Sequence, residues 1–203
     1  MSLIATSGGA AVPPLPEDTY LATCYLLADI GTQHSKNKGF KPAHKVVIGW
    51  EVADEYVDIG GEQTPRTIYN TYTMSLNEKA KLRKDLIAWR GRDFTPEELK
   101  AFDLRNIVGV PCQIQIVHTT QDGETYANIA GLMKLPKFTP CPETQLPQQV
   151  YDIDDNPVSD VDRLPKWIAE KVKASEEFKL RSLPANGEAP TFTELPEDGE
   201  LPF

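Results

Sequence analysis

Residues 110–133 read VPCQIQIVHTTQDGETYANIAGLM, and this stretch decides the fold. Apolar and polar residues alternate over 110–119, as they do along a strand with one buried face. Asp122-Gly123 is a dipeptide that turns a chain through a tight two-residue hairpin. Residues 124–133 then return in the same alternating manner. In the returning strand Ala127, Ile129 and Met133 share one side. Tyr126 and Asn128 share the other, which points Tyr126 outward. An antiparallel, mainly β protein is the expectation.

Working upstream, residues 19–29 (TYLATCYLLAD), 44–52 (HKVVIGWEV) and 66–74 (RTIYNTYTM) are dense in apolar, aromatic and β-branched residues and read as three more strands. Gly60-Gly61 turns the second into the third. Trp50 shares parity with Val46 and Ile48, so it belongs to the core. Tyr69 and Tyr72 have opposite parity, so one faces the core and one faces out; the pattern does not choose between them. A helical run follows, with Leu82, Leu86 and Trp89 on one side and Gly91 at its end. Ser75 and Glu78 have the spacing of a capping box at its start, and Thr95 and Glu98, with Pro96, open a second short helix ending near Phe102. Three strands, a helical segment and two strands match a five-stranded OB-fold barrel with helices between strands three and four.

The flanks differ in composition. Residues 1–16 are small, Gly-rich and Pro-rich, and read as a flexible arm. The folded domain is expected over 17–140. Residues 141–184 form a Pro-rich, then acidic extension with one helix, containing Trp167, Ile168, Val172 and Phe178. Residues 185–203 form an acidic, disordered tail. The 203-residue chain carries a formal charge of −9. Residues 1–140 hold 15 Lys and Arg against 16 Asp and Glu, whereas residues 141–203 hold 6 against 14. The acidity therefore lies in the last third, and the nearly neutral first part does not exclude a polyanionic partner.

Residues 33–45 carry His34, Lys36, Lys38, Lys41, His44 and Lys45 beside Phe40, with no acid. Cations meet phosphates, and an aromatic ring stacks on a base of any identity. In an OB-fold this loop, between strands one and two, rims the binding groove. The plainer alternative is a solvated loop. Tyr126 is a stacking candidate, as is whichever of Tyr69 and Tyr72 faces out. Arg90 and Arg92 at a helix end suit backbone phosphates, or simply the negative helix terminus. Lys134 and Lys137, either side of Pro136, extend the same charged set.

Other chemistries find little support. Cys24, Cys112 and Cys141 are widely spaced and read as buried thiols, not a metal or disulfide framework. Residues 152–163 place Asp152, Asp154 and Asn156 like a calcium loop, but Pro157 stands where the turn needs Gly and Arg163 where a Glu should bind. No phosphate-loop, nucleophile-elbow or zinc-protease motif occurs, so neither catalysis nor a metal nor a cofactor is expected. No apolar run is long enough to span a membrane.

The chain ends Asp198-Gly199-Glu200-Leu201-Pro202-Phe203. An aromatic ring beside the chain carboxylate can enter a partner's pocket while the carboxylate meets a basic residue. This tip resembles that of bacterial single-stranded DNA-binding proteins. The run from Asp29-Ile30-Gly31-Thr32-Gln33 through Ser75-Leu76, Trp89-Arg90-Gly91-Arg92 and Phe94-Thr95 to Phe102-Asp103 is similar to tailed-bacteriophage proteins of that kind. The resemblance implies a cytoplasmic, non-catalytic protein that coats single-stranded DNA without sequence preference. Its tip would recruit replication or recombination proteins. The acidic tail would compete for the groove, so deleting residues 190–203 should tighten DNA binding at low salt. Two helices after strand three and a Pro-rich extension depart from the bacterial family, leaving a monomer, dimer or other homo-oligomer open. A strand-annealing recombination protein and a protein-binding adaptor are the alternatives.

Overall fold

The computed structural model describes residues 12–35, 39 and 41–182. Strands β1 (Thr19–Gln33), β2 (Ala43–Ile59), β3 (Glu62–Thr73), β4 (Pro111–Gln121) and β5 (Glu124–Lys134) form one antiparallel sheet in the order β3-β2-β1-β4-β5. The expected mainly β architecture is present, with its five strands in the expected order along the chain. The sheet is not closed: β3 and β5 are its two edges. The β4–β5 turn has Asp122 at φ 54° and Gly123 at φ 83°, the two positive angles a tight hairpin requires.

β1 is long enough to be shared. Residues 19–23 pair with β4 along one edge. An irregularity between Cys24 and Leu26 follows, and the same edge then pairs at Leu26–Ala28 in parallel with the short strand β6 (Gln149–Tyr151).

Each face of the sheet is covered. On the inner face Ala22, Cys24, Val46, Ile48, Trp50, Ile68, Ile114 and Ile116 pack against Leu82, Leu86 and Trp89 of α1 (Lys81–Arg90). Trp89 donates its indole N–H to the Pro111 carbonyl at 3.0 Å, and its ring lies 5.8 Å from that of Trp50. Gly91 ends α1 at φ 68°, as its sequence position anticipated.

The start of α1 differs from expectation. Ser75 and Glu78 do not cap it: the N-cap is Ala80, without a side-chain bond, because the intervening residues turn first, with Ala80 N–H on the Asn77 carbonyl at 2.8 Å. The second capping box is present. In α2 (Pro96–Lys100), Thr95 accepts from Glu98 N–H and Glu98 accepts from Thr95 N–H.

Of the 141–184 extension, the described residues, up to 182, form a second layer. After β6 come α3 (Lys166–Ala174) and α4 (Glu176–Ser182), two helices where one was expected. Ser175 breaks them: its hydroxyl donates to the Val172 carbonyl at 2.6 Å and accepts from Phe178 N–H at 3.3 Å. Tyr151, Ile153, Leu164, Ile168, Val172 and Phe178 pack on the outward side chains of β1 and β2, namely Tyr25, Leu26, Ala28, Ile30 and Val47. Buried Glu51 fastens the entry to this layer, and Glu177 fastens its end by accepting from both the amide and the hydroxyl of Thr32. Gly31, at φ 64°, makes that approach feasible: a Cβ there would lie 2.7 Å from Glu177 Oε2.

Of the three thiols, Cys24 and Cys112 are buried, whereas Cys141 is exposed, contrary to expectation. Burial pushes the Cys24 thiol up to about 12. Among the described residues no helix is long and apolar enough to cross a membrane.

Candidate functional site

The unclosed seam between β3 and β5 opens, at the end carrying the β2–β3 and β4–β5 turns, into a cleft of about 690 Å³. Ile59, Arg66, Tyr69, Tyr126 and Trp167 line it, together with the chain at residues 12–15. Each arrives for a local reason. Tyr126 stands on the outward side of β5, opposite Thr119, and is 51% exposed. Tyr69 is on the outward side of β3, opposite Gly49; a Cβ on Gly49 would meet the Tyr69 ring at 2.8 Å. Trp167, at the first turn of α3, is anchored by its buried neighbour Ile168 and is itself 37% exposed.

The aromatic floor is ordered. The Trp167 and Tyr69 rings meet edge to face at 5.4 Å, and Tyr69 meets Tyr25 at 6.3 Å. The Tyr69 and Tyr25 hydroxyls are 2.5 Å apart, and Thr67 donates to Tyr69 at 3.1 Å. Burial, then this bond to Tyr69, raises the Tyr25 phenol far above its ordinary value.

Arg66 is the cation of the cleft. It is half-buried, and its Nε is shielded from solvent without a hydrogen-bond partner in the described structure. Arg66 shares parity with Ile68 and Tyr72 on β3, so its stem lies on the inward side, and with Nε shielded the terminal nitrogens are the donors a ligand could reach. The end of β2, the start of β3 and the β4–β5 hairpin, which lead to the cleft, carry Asp54, Glu55, Asp58, Glu62, Asp122 and Glu124. The site therefore offers stacking and one directed cation rather than a basic carpet.

The sequence-derived candidates do not converge on one track. Tyr69 and Tyr126 meet in the cleft. Tyr72 does not: it faces the core at 2% exposure and donates to Asp85 at 2.8 Å, because it shares the inward side with Ile68. Arg90 is also excluded. Its guanidinium lies over Phe94 and Phe102, 4.4 and 5.1 Å from the ring centroids, and bonds Glu98. Arg92 is exposed but engages both oxygens of Glu98, at 2.9 and 2.7 Å. These bonds hold the Glu98 carboxyl down at about 2, Arg92 contributing most.

Lys41 and Lys45 lie at the start of β2, whereas Ile59, at its far end, lines the cleft, so they belong to the opposite end of the sheet. Lys134, the last residue of β5, and Lys137, three residues beyond it, are exposed. Lys36, Lys38 and Phe40 lie outside the described residues, as do Asp198, Glu200, Leu201, Pro202 and Phe203.

Sequence reading missed Arg66 and Trp167. Arg66 had a signal, as the only base among the acids of residues 46–78. Trp167 had none, since a tryptophan beside Ile168 in a helix reads as core.

A second cavity, of about 550 Å³, lies where β1 and β6 meet the segment after α2, and includes Leu27, Phe102 and Tyr151. Three of the charged groups that line it are already paired, Asp29 with His44 at 2.7 Å and Arg105 with Asp152 at 2.6 Å, Arg105 also meeting Asp155 at 2.9 Å. Among the described residues no group of three or more His, Cys, Asp or Glu is placed to hold a metal.

In comparisons with known protein families, curated proteins and solved structures, the chain matched none.

Proposed function

We propose that the protein binds single-stranded nucleic acid without catalysis, stacking bases on Tyr126, Tyr69 and Trp167 while Arg66 meets a phosphate. The observation that carries this reading is the cleft itself, with Tyr126, Tyr69 and Trp167 around one opening and the half-buried Arg66 at its side. Base–aromatic stacking is indifferent to sequence, and one oriented cation fixes the backbone beside it. The fold reading is a partly open OB barrel. It is supported by the order β3-β2-β1-β4-β5, by β1 pairing with both β2 and β4, and by the helices between β3 and β4. The acidic Leu-Pro-Phe tip is proposed to recruit replication or recombination proteins to the coated strand in a bacterial cytoplasm.

The test is anisotropy of labelled oligo-dT titrated with the full chain at several salt concentrations, with duplex DNA as competitor. Saturable binding that survives duplex competition is expected, and Arg66→Gln should weaken it. Absence of binding at low salt, with the acidic tail also removed, overturns the reading and favours a protein-binding adaptor.

A further inference from the structure

Phe138 is 102% exposed, the most exposed large apolar side chain of the described residues, and it sits at φ 67°. That left-handed region is unfavourable for a bulky residue. The cause is a four-residue turn, Pro136 to Thr139, closed by Thr139 N–H on the Pro136 carbonyl at 3.3 Å. Phe138 holds the third position, where a positive φ normally selects glycine. An aromatic ring is thus displayed to solvent at a conformational cost, and nothing in the fold uses it.

Its immediate neighbour Lys137 is basic. Lys134, the last residue of β5, pairs with buried Cys112 and turns to the inner side, where its stem lies over Gly91. The outer face of β4–β5 runs from Phe138 back to the cleft. Along it, outward residues pair as Gln113 with Met133, Gln115 with Gly131, Val117 with Asn128 and Thr119 with Tyr126; a register shift between Gln115 and Ile116 brings Met133 to this side, away from Ala127 and Ile129 with which strict alternation grouped it. That row carries no charge. Residues 110–142 contain only two carboxylates, Asp122 and Glu124, both at the hairpin turn, in a chain with 30. The C-terminal layer packs on the outward side chains of β1 and β2, and none of its buried residues contacts this row.

We propose that a strand leaving the Tyr69–Tyr126–Trp167 cleft continues over the outer face of β4–β5. Phe138 holds it at the far end as a second stacking position, with Lys137 on its phosphates. Tyr126 belongs to both parts and is where the path turns. The inference rests on the single-strand reading above. A nucleic acid is favoured over a peptide because the face joins an uncharged floor to a cation and a bare ring.

The experiment uses the full chain and oligo-dT of about 4 and about 16 nucleotides, the range of site sizes for such folds. Phe138→Gly should weaken the longer oligomer about ten-fold and leave the shorter one unchanged. Its melting temperature should be equal or higher, because glycine accepts the turn without strain. Gln115→Glu, which puts a carboxylate on the path, should likewise weaken only the longer oligomer. Tyr126→Ala should weaken both. Unchanged binding of the longer oligomer by Phe138→Gly and Gln115→Glu, with Tyr126→Ala weakened, overturns the path and leaves the cleft standing. Failure of the unaltered chain to bind either oligomer overturns cleft and path together.

Discussion

Glu51 accepts the backbone N–H of Leu146 at 2.8 Å and that of Gln145 at the same distance, so one buried carboxylate of β2 fastens the start of the C-terminal layer. Charge-assisted bonds of this kind are stronger than neutral ones, and a buried group that loses its partner costs more than the bond itself. Glu51→Gln turns one acceptor into a donor facing an N–H. We expect a loss of about 2 kcal/mol in urea unfolding. A change within error would mean that the clamp is incidental.

Two tyrosines three residues apart should respond in opposite ways to substitution. Tyr72→Phe removes a buried hydroxyl that donates to Asp85 and should cost about 1 kcal/mol of stability while leaving oligo-dT affinity intact. Tyr69→Ala should weaken binding, since its ring supports Trp167 in the cleft. Loss of affinity in Tyr72→Phe at full stability would contradict its core assignment.

Fluorescence can report on the cleft alone. Trp50 and Trp89 are 0% and 3% exposed, whereas Trp167 is 37% exposed. Acrylamide quenching should therefore come from Trp167, and bound oligo-dT should suppress it. In Trp167→Phe both the quenchable fraction and its response should vanish. Persistent quenching would place the accessible tryptophan elsewhere.

Salt dependence should be shallow for a strand binder. Arg66 and Lys137 amount to about two phosphate contacts, giving a slope of log K against log salt near −1.4. Arg66→Gln should reduce it by about 0.7. A slope several times steeper would mean that the basic loop at residues 36–45 supplies most contacts.

Acid should loosen the corner built on Glu98. Its folded carboxyl is depressed from 4.5 to about 2, first by Arg92 and then by the Thr95 amide. A depressed carboxyl stabilises the fold above its unfolded value and loses that contribution as pH falls through the folded one. Between about pH 4.5 and pH 2 the wild type should lose more melting temperature than Glu98→Gln. Parallel curves would show that the two arginines hold without the charge.

The legible parts of the sequence were those with local period or local chemistry. Alternation marked β2, β4 and β5, the density of apolar, aromatic and β-branched residues marked β1 and β3, Asp122-Gly123 marked the hairpin, and Thr95 to Glu98 marked a cap that the fold uses. Ser75 to Glu78 has the same spacing and fails because spacing does not reveal that residues 77–80 turn before the helix starts. The C-terminal layer was opaque because its apolar residues come in short pieces, Tyr151 with Ile153, Ile168 with Val172, then Phe178 alone. Each piece is too short for a period, and they form one surface only on β1 and β2. Tyr126 was readable from parity alone. Arg66 and Trp167 meet through the fold of the whole chain, and Arg90 is spent on Glu98, eight residues away, in a contact that charge counting cannot foresee.

The shared edge of β1 sets an order of assembly. A chain made from its N-terminus can complete β1 to β5 and the inner core once Lys134 has emerged. Until β6 to α4 follow, Leu26, Ala28, Ile30 and Val47 remain wet, and the edge of β1 at Leu26–Ala28 stays unpaired. An apolar face beside an open edge is the kind of surface on which nascent chains stick to one another. The last third of the protein thus acts within the molecule as its own chaperone, arriving late and closing the face that the first two thirds leave bare.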